Sequence, residues 1–182
     1  MDAIKMLTER RSIRKYKDEI VPQEVLKEIV EVSKYAPSWA NYQIVRYNFI
    51  SDKEIISKIA EKGVNGFVYN KTTLENAKNI LVLSFVKGKS GKLDPEGDEY
   101  ATAKSKEWEM FDAGISAQTF CLAAHEKGIG TCIFGVIDAK SIAKIIDLPK
   151  DETVGTVITF GYPDEVVFSS PRKSVSEITR FK

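Results

Sequence analysis

The sequence predicts a fold that contains both α-helices and β-strands, because apolar residues recur in it at two different periods. Runs of β-branched and aromatic residues at 44–50, 79–86 and 154–161 are typical of strands. Apolar residues at helical spacing occupy 22–35 and 108–127. Since strands and helices are interspersed along the chain, we expect a sheet covered by helices.

The first half of the chain contains three predicted helices and one strand. A short amphipathic helix is expected before residue 10. Pro22 suits the first turn of a second helix, and Pro37 marks its end. After the strand at 44–50, the spacing predicts a surface helix over 52–62 that Gly63 closes.

The strand at 79–86 is apolar on both faces, which places it in the middle of the sheet. The next segment, 87–104, mixes glycines with charged residues and is predicted to be a loop or a short lid. The helix over 108–127 carries few charges away from its ends, so it is either a buried central helix or part of a subunit interface.

The last third of the chain begins with a glycine-punctuated strand at 128–135, which lacks the order of a dinucleotide-binding fingerprint. Asp138 is expected to cap a helix that ends at Ile146. The strand at 154–161 follows. Residues 174–182 are too few to fold alone, so we expect them to dock as an arm or an edge strand.

Length and composition exclude several classes of function. The 182 residues suit a single domain over 1–182, and the net charge of +1 gives no global attraction to nucleic acid. Cys121 and Cys132 lack the spacing of a metal or disulfide framework, and no apolar run has membrane-spanning length. We therefore expect a cytoplasmic protein without a metal, nucleic-acid or membrane partner. His125 is the only histidine, which argues against a zinc site and a serine–histidine triad.

A cluster of positive charge lies near the N-terminus. Arg10, Arg11, Arg14 and Lys15 surround Ser12. Arginine forks bind phosphate in a bidentate manner, and a helical backbone would place Arg10 and Arg14 on one face, so the segment is a candidate phosphate site. A solvated basic turn is the alternative, since most charge runs face water.

A second polar segment runs from Ala36 to Gln43. It offers uncharged side-chain donors and acceptors at Ser38, Asn41 and Gln43, which suit a polar small molecule. An ordinary Pro-Ser turn, with Trp39 as a packing residue, explains the same residues.

Taken in order along nearly the whole chain, these motifs resemble those of FMN-dependent nitroreductases. The resemblance rests on these groups: Arg10-Arg11-Ser12-Ile13-Arg14, Ala36-Pro37-Ser38 with Asn41 and Gln43, Asp112-Ala113-Gly114, Gly128-Ile129-Gly130, Gly161-Tyr162-Pro163 and Arg172-Lys173. The resemblance implies an α+β fold with a mixed central sheet flanked by helices. It also implies a homodimer whose C-terminal arms are exchanged and which binds FMN at its interface.

The resemblance further implies a role for each matching residue. Arg10, Ser12 and Arg172 would hold the FMN phosphate, with Arg11 and Lys173 as nearby contributors. Arg14 would lie at the pyrimidine edge of the flavin and stabilise its reduced form, the one catalytic role expected. The remaining cofactor-binding residues would be Pro37, Ser38 and Asn41 from the partner subunit, Asn70 beside the flavin ring, and the backbone of Phe134 and Gly135.

The sequence departs from the common pattern of the family at three places. Trp39 replaces a glycine, Ile44-Val45 replaces a Pro-Trp pair, and Thr73 replaces a lysine that some relatives have. These changes bear on substrate shape and flavin tuning.

The implied activity is an NAD(P)H-dependent flavin oxidoreductase. A hydride would pass from NAD(P)H through flavin N5 to an electron-poor acceptor, such as a nitroaromatic or a quinone, by a ping-pong mechanism. Two alternatives remain open. One is a flavoenzyme with a narrow substrate, acting by ene reduction, dehydrogenation or dehalogenation; the other is a flavin-binding or redox-sensing protein without efficient turnover.

Overall fold

The computed structural model describes residues 2–182 and is built on a four-stranded sheet with the strand order β1-β2-β4-β3. The strands are β1 (Val45–Ile50), β2 (Asn79–Val86), β3 (Gly130–Phe134) and β4 (Glu152–Gly161). Each pair of neighbouring strands is antiparallel. The central place predicted for residues 79–86 is confirmed.

Helices flank the sheet. They are α1 (Ala3–Glu9), α2 (Gln23–Ser33), α3 (Lys53–Lys62), α4 (Val68–Asn76), α5 (Glu107–Glu126), α6 (Ala139–Ile145) and α7 (Val175–Ile178). The predicted cap of α6 is confirmed, because Asp138 accepts hydrogen bonds from the first free N–H groups of its helix. Gly63 ends α3 as predicted, and Asp52 caps the start of that helix in the same way as Asp138.

The two faces of the sheet bury separate apolar clusters, as the alternation of side chains along β2 requires. Leu81, Leu83 and Phe85 point towards α2 and α5, where Phe120 is fully buried. On the other face, β2 contributes to a cluster with residues from α3, α4 and α6. The mixed α+β arrangement is thereby confirmed.

The basic segment at residues 10–16 differs from the helical alternative, because α1 ends at Glu9 and the chain then extends. Ser12 forms a parallel bridge with Thr131 of β3, and Ile13 N–H donates to the Thr131 carbonyl at 2.9 Å. This bridge is the one parallel pairing in the described residues. The mixed character of the sheet is therefore confined to its β3 edge.

Two other segments also take unexpected forms. Residues 68–76 form α4, a helix that was not predicted, because its apolar residues do not line one face. The C-terminal segment contains the short exposed helix α7 and does not pair with the sheet as an edge strand within one protomer.

Close packing holds the extended segment on the sheet. A Cβ atom added to Gly130 would lie 2.7 Å from Ile13 Cγ1, so only glycine permits this approach. Tyr16 is also buried, and its hydroxyl bonds the Ile13 carbonyl and the Thr159 hydroxyl. Burial raises the pKa of Tyr16, which stays a neutral donor.

Gly130→Ala is therefore expected to destabilise the protein by about 1–3 kcal/mol, because the new methyl group displaces Ile13. Gly155→Ala is the matched control in a neighbouring strand, since its Cβ would meet nothing closer than 3.4 Å. Urea unfolding measures both. Equal stabilities of the two variants would contradict the packing described here.

Candidate active site

The extended backbone arranges the basic residues differently from a helix. Ser12 is held on β3 by its bridge to Thr131, and the charges of Arg10 and Arg14 both act on Cys132 of the same strand, so the three residues lie along the β3 edge. Arg11 is turned back, because its guanidinium donates to the carbonyls of Thr8 and Arg10. The structure thus gives a row of two guanidinium groups and one hydroxyl.

The positive charge of this row reaches the end of α5. Burial raises the pKa of Cys121 and lowers that of His125, and the nearby charge of Arg10 acts to lower both. The pKa of Cys132 is likewise raised by burial, while Arg14 and Arg10 oppose the rise. Arg10 therefore lies beside the C-terminal half of α5 and the strand β3.

The chain that leaves β4 runs beside this row. Lys17 N–H donates to Tyr162, and Asp164 N–H donates to the Lys15 carbonyl. The Glu165 carboxylate accepts from the backbone N–H of Arg14 at 2.6 Å and also from that of Lys15. The C-terminal tail therefore starts at the predicted phosphate site.

Within one protomer, the structure does not bring Arg172 to Arg10. The Arg172 guanidinium donates to the carbonyls of Ser170 and Pro171 in its own segment. Lys173 is exposed beside it. Arg172 lies seven positions beyond Glu165, and this stretch spans at most about 25 Å, so the tail has the reach to place Arg172 either on its own protomer or on a partner.

Asn70 lies close to Gly135. The Asn70 amide donates to the Val136 carbonyl at 3.0 Å, which ties α4 to the end of β3. Gly135 is exposed, and a Cβ added to it would meet nothing within 4 Å. The backbone at Gly135 is therefore open to a planar ligand, whereas the Phe134 ring is buried in the core.

Pro37, Ser38 and Asn41 belong to a tight turn that contains the 3₁₀ segment Trp39–Asn41. The Ser38 hydroxyl accepts from Gln43 N–H at 3.0 Å, and its hydrogen stays free to donate. Pro37 and Asn41 are exposed. The turn thus presents an exposed surface with neutral hydrogen-bonding groups.

The turn and the arginine row are attached to different ends of α5. The turn bonds to Asp112, while Arg10 acts on His125, which lies 13 positions further along the helix. At 1.5 Å per residue, these two points are about 20 Å apart. One protomer therefore does not place Ser38 beside Arg10.

Two of the unusual positions are engaged within the protein. The Trp39 indole N–H donates to the Lys92 carbonyl at 2.5 Å, and its ring lies 4.8 Å from that of Trp108. Thr73 is buried, and its hydroxyl donates to the Tyr69 carbonyl at 2.8 Å. Thr73 therefore has no hydroxyl hydrogen left for a flavin, and Trp39 serves as the packing residue that the second interpretation expected.

His125 lies near the C-terminal end of α5. Its Nε2 atom is buried and has no hydrogen-bond partner. The charges of Arg10 and Arg11 act on His125, although both residues lie far from it in the sequence. Only the three-dimensional structure shows this proximity.

In the described part of the chain, no helix combines the length and the hydropathy that crossing a membrane requires.

A family model described as "Nitroreductase family" matches residues 7–162. Among curated proteins, the chain is 30% identical over 178 residues to an FMN reductase [NAD(P)H] of Bacillus subtilis, with 94% of this chain and 70% of that protein covered. It is 24% identical over 174 residues to an iodotyrosine deiodinase of Thermotoga neapolitana, with 91% of both proteins covered.

Solved structures give the same result. An FMN-dependent nitroreductase from Clostridium difficile R20291 superposes with a TM-score of 0.71 at 27% identity. The match covers 96% of this chain and 93% of that one.

The single histidine provides a pH test of the site. Burial, aided by the charge of Arg10, lowers the pKa of His125 in the folded state, so the unfolded chain takes up a proton first as the pH falls. Stability is expected to decline between about pH 7.5 and pH 5.5, and His125→Gln should reduce that decline. Chemical unfolding at several pH values measures it.

The His125 ring-proton resonance in an NMR titration gives the pKa directly, without interference from other histidines. Arg10→Gln should raise that pKa, because it removes a neighbouring positive charge. An unchanged value in this variant would show that Arg10 does not face His125.

Proposed function

The chain belongs to the nitroreductase family, and from that premise we propose that it is an FMN-dependent oxidoreductase that uses NAD(P)H and an electron-poor small-molecule acceptor. The row formed by Arg10, Ser12 and Arg14 is the observation that carries this proposal. Two guanidinium groups and a hydroxyl along one edge of the sheet suit a phosphate dianion.

The other predicted residues also suit FMN. The open backbone at Gly135 and the neighbouring Asn70 leave room for a flat ring system. The free hydroxyl hydrogen of Ser38 suits a flavin oxygen. When bound, FMN would supply the redox chemistry by taking a hydride from NAD(P)H and passing it to an acceptor in a ping-pong cycle. The protein then has to bind, orient and tune the cofactor.

Arg14 is the proposed tuning residue. It lies at the end of the row, and its backbone is fixed by Glu165, so its side chain extends from a defined point. A cation near the pyrimidine edge of the flavin favours the negatively charged reduced state. Thr73 cannot replace it, since its hydroxyl is engaged within α4.

We infer that the complete site needs a second copy of the chain. Phe111, Ile115 and Leu122 form a partly exposed apolar stripe along α5. Pairing of two α5 helices in antiparallel fashion across a twofold axis would cover this stripe. It would also bring the Ser38 end of one protomer to the Arg10 end of the other, which removes the 20 Å separation found in one protomer.

The C-terminal tail has a suitable acceptor surface. β1 is an edge strand, and the groove between β1 and α2 is lined by Leu26, Val30 and Tyr47. The tail carries exposed apolar side chains at Val166, Phe168, Val175, Ile178 and Phe181. We propose that this tail is the arm exchanged between protomers, because exposed apolar residues and an unpaired edge satisfy each other.

A dehalogenating flavoenzyme is the second candidate function. The observation that favours it is the similarity to an iodotyrosine deiodinase over 91% of the chain. A flavin-binding protein without turnover is the non-enzymatic alternative.

The purified protein separates these functions. We expect bound flavin that is released as FMN, its reduction by NADH or NADPH, and reoxidation by nitroaromatics or quinones. Reoxidation only by halogenated phenols would favour dehalogenation, and bound FMN that neither nucleotide reduces would favour the binding protein. Purified protein without any affinity for FMN would contradict the proposal.

The double variant Arg10→Ala/Arg172→Ala is expected to lose FMN on dialysis. Each charged hydrogen bond contributes about 1.5–3 kcal/mol, so two lost contacts weaken binding by about 3–6 kcal/mol if they add. Lys58→Ala/Lys144→Ala is the matched control, because it removes two exposed charges outside the site. Equal retention of FMN by the two variants would remove the arginines from the phosphate site.

Arg14→Gln is expected to lower the flavin midpoint potential, because it removes the cation that favours the reduced state. A change of about 1.4 kcal/mol in that preference equals about 30 mV for two electrons. Lys15→Gln, which removes the same charge from the next residue, should shift the potential less. Potentiometric titration measures both, and equal potentials would assign the tuning to another group.

Removal of residues 166–182 is expected to convert the dimer to a monomer and to weaken FMN binding. The truncation keeps Glu165, whose carboxylate holds the backbone of Arg14. Sedimentation equilibrium and flavin-fluorescence titration measure the two effects. A dimer of unchanged affinity would rule out the exchanged arm.

A further inference from the structure

The turn that carries Ser38 has an unusual backbone. Ala40, Asn41 and Gln43 all have positive φ angles, of 44°, 58° and 50°, although none of them is glycine. Residues with side chains adopt this region at a cost, and they stay in it only where surrounding contacts impose it. Hydrogen bonds within the turn hold it in part, and further contacts come from outside the turn.

The principal contact is a buried carboxylate. Asp112 of α5 is 1% exposed, and no lysine or arginine within residues 2–182 forms an ion pair with it. Its two oxygens accept from Trp39 N–H at 3.0 and 3.2 Å, and one of them also accepts from the Ser90 hydroxyl at 2.6 Å. All of these hydrogen bonds lead away from α5, to the turn and to the loop that follows β2.

The aromatic side chains of the turn also bond to this loop. The Trp39 indole donates to the Lys92 carbonyl at 2.5 Å, and the Tyr42 hydroxyl donates to the Leu93 carbonyl at 2.7 Å. The Trp39 ring packs on Trp108, near the start of α5. These five hydrogen bonds join the turn, the loop and the helix. Their donors are the side chains of Trp39, Tyr42 and Ser90 and the backbone N–H of Trp39.

We propose that Asp112 is a positioning residue for FMN binding. It fixes the Pro37–Asn41 turn and the Ser90–Leu93 segment as one unit, and so sets the orientation in which Ser38 and Asn41 meet a flavin held by the partner subunit. The inference rests on the proposed function. It also assigns the residues around Ser90 a fixed structural role in place of a mobile lid.

The two tryptophans of the chain give a signal for this unit. Trp39 and Trp108 are the only tryptophans, and their ring centroids lie 4.8 Å apart, so we expect them to produce an exciton couplet in far-ultraviolet circular dichroism. The couplet depends on the position of the turn relative to α5. The couplet is measured on the protein without FMN, and flavin-fluorescence titration measures the FMN affinity separately.

Asp112→Leu removes both acceptor oxygens and is expected to abolish the couplet and to weaken FMN binding about tenfold, equivalent to about 1.4 kcal/mol. Asp112→Asn keeps a carbonyl oxygen for Trp39 N–H, and the Ser90 hydroxyl can rotate to accept from the amide. This conservative variant should recover the couplet and most of the affinity. A role limited to general stability predicts no such recovery of FMN binding.

If Asp112→Leu is insoluble, Ser90→Ala carries the test, with a weaker couplet and weaker FMN binding expected. Ser84→Ala is its control, because it breaks another buried hydroxyl–carboxylate bond, to Glu152, away from the turn. This control should lower the melting temperature and leave the couplet and FMN affinity unchanged. An unchanged couplet in the Asp112 or Ser90 variant overturns the inference.

The experiment separates the two levels of the argument. If the unaltered protein binds FMN and Asp112→Leu binds it equally well, the inference is wrong and the proposed function stands. If the unaltered protein does not bind FMN, the proposed function is wrong, and the assignment of Asp112 to flavin positioning is overturned with it.

Discussion

The attachment of residues 12–13 to β3 is the constraint on which the proposed site depends. One parallel bridge and one backbone hydrogen bond hold this segment at the edge of the sheet, and the approach is close enough to require Gly130. Arg10, Ser12 and Arg14 therefore lie along the β3 edge of the sheet. The core of the protein fixes the position of these cations. Ile13, which lies between Arg10 and Arg14 in the chain, is buried, and so is Tyr16, which follows them.

The long helix α5 links this row to the rest of the site. Its C-terminal half lies beside Arg10, and its N-terminal half carries the buried carboxylate that bonds to the turn of Ser38. A helix of 20 residues keeps these two regions at a fixed separation. In a twofold arrangement of two such helices, the Ser38 turn of one protomer would lie beside the Arg10 row of the other. A small chain would in this way build its site at an interface.

The regular elements were predictable from the sequence, because their signals are local. The apolar run at 79–86 identified the central strand, and Asp52 and Asp138 marked helix starts. The helix α4 was missed, since its nine residues have no apolar stripe and it is stabilised by tertiary contacts at Thr73 and Leu74. The local pattern likewise did not distinguish a helical from an extended segment at residues 10–16, because a bridge to residue 131 decides it.

The candidate site was predicted in part. The types of residue at 10, 12 and 14 indicated an anion site, whereas the shared role of Asp112, Ser90 and Trp39 depends on contacts between segments that are 22–73 positions apart. The spacing of apolar residues along the chain does not predict contacts between such distant segments. The sequence showed that Trp39 departs from the family pattern, but it did not show that the Trp39 ring packs on Trp108.

A crystal structure of the protein with FMN tests the central claim most directly. The account predicts a phosphate within hydrogen-bonding distance of Arg10 and Ser12 of one protomer, and the Ser38 turn of the other protomer at the flavin. A phosphate bound elsewhere, with Arg10 and Arg14 in solvent, would contradict it.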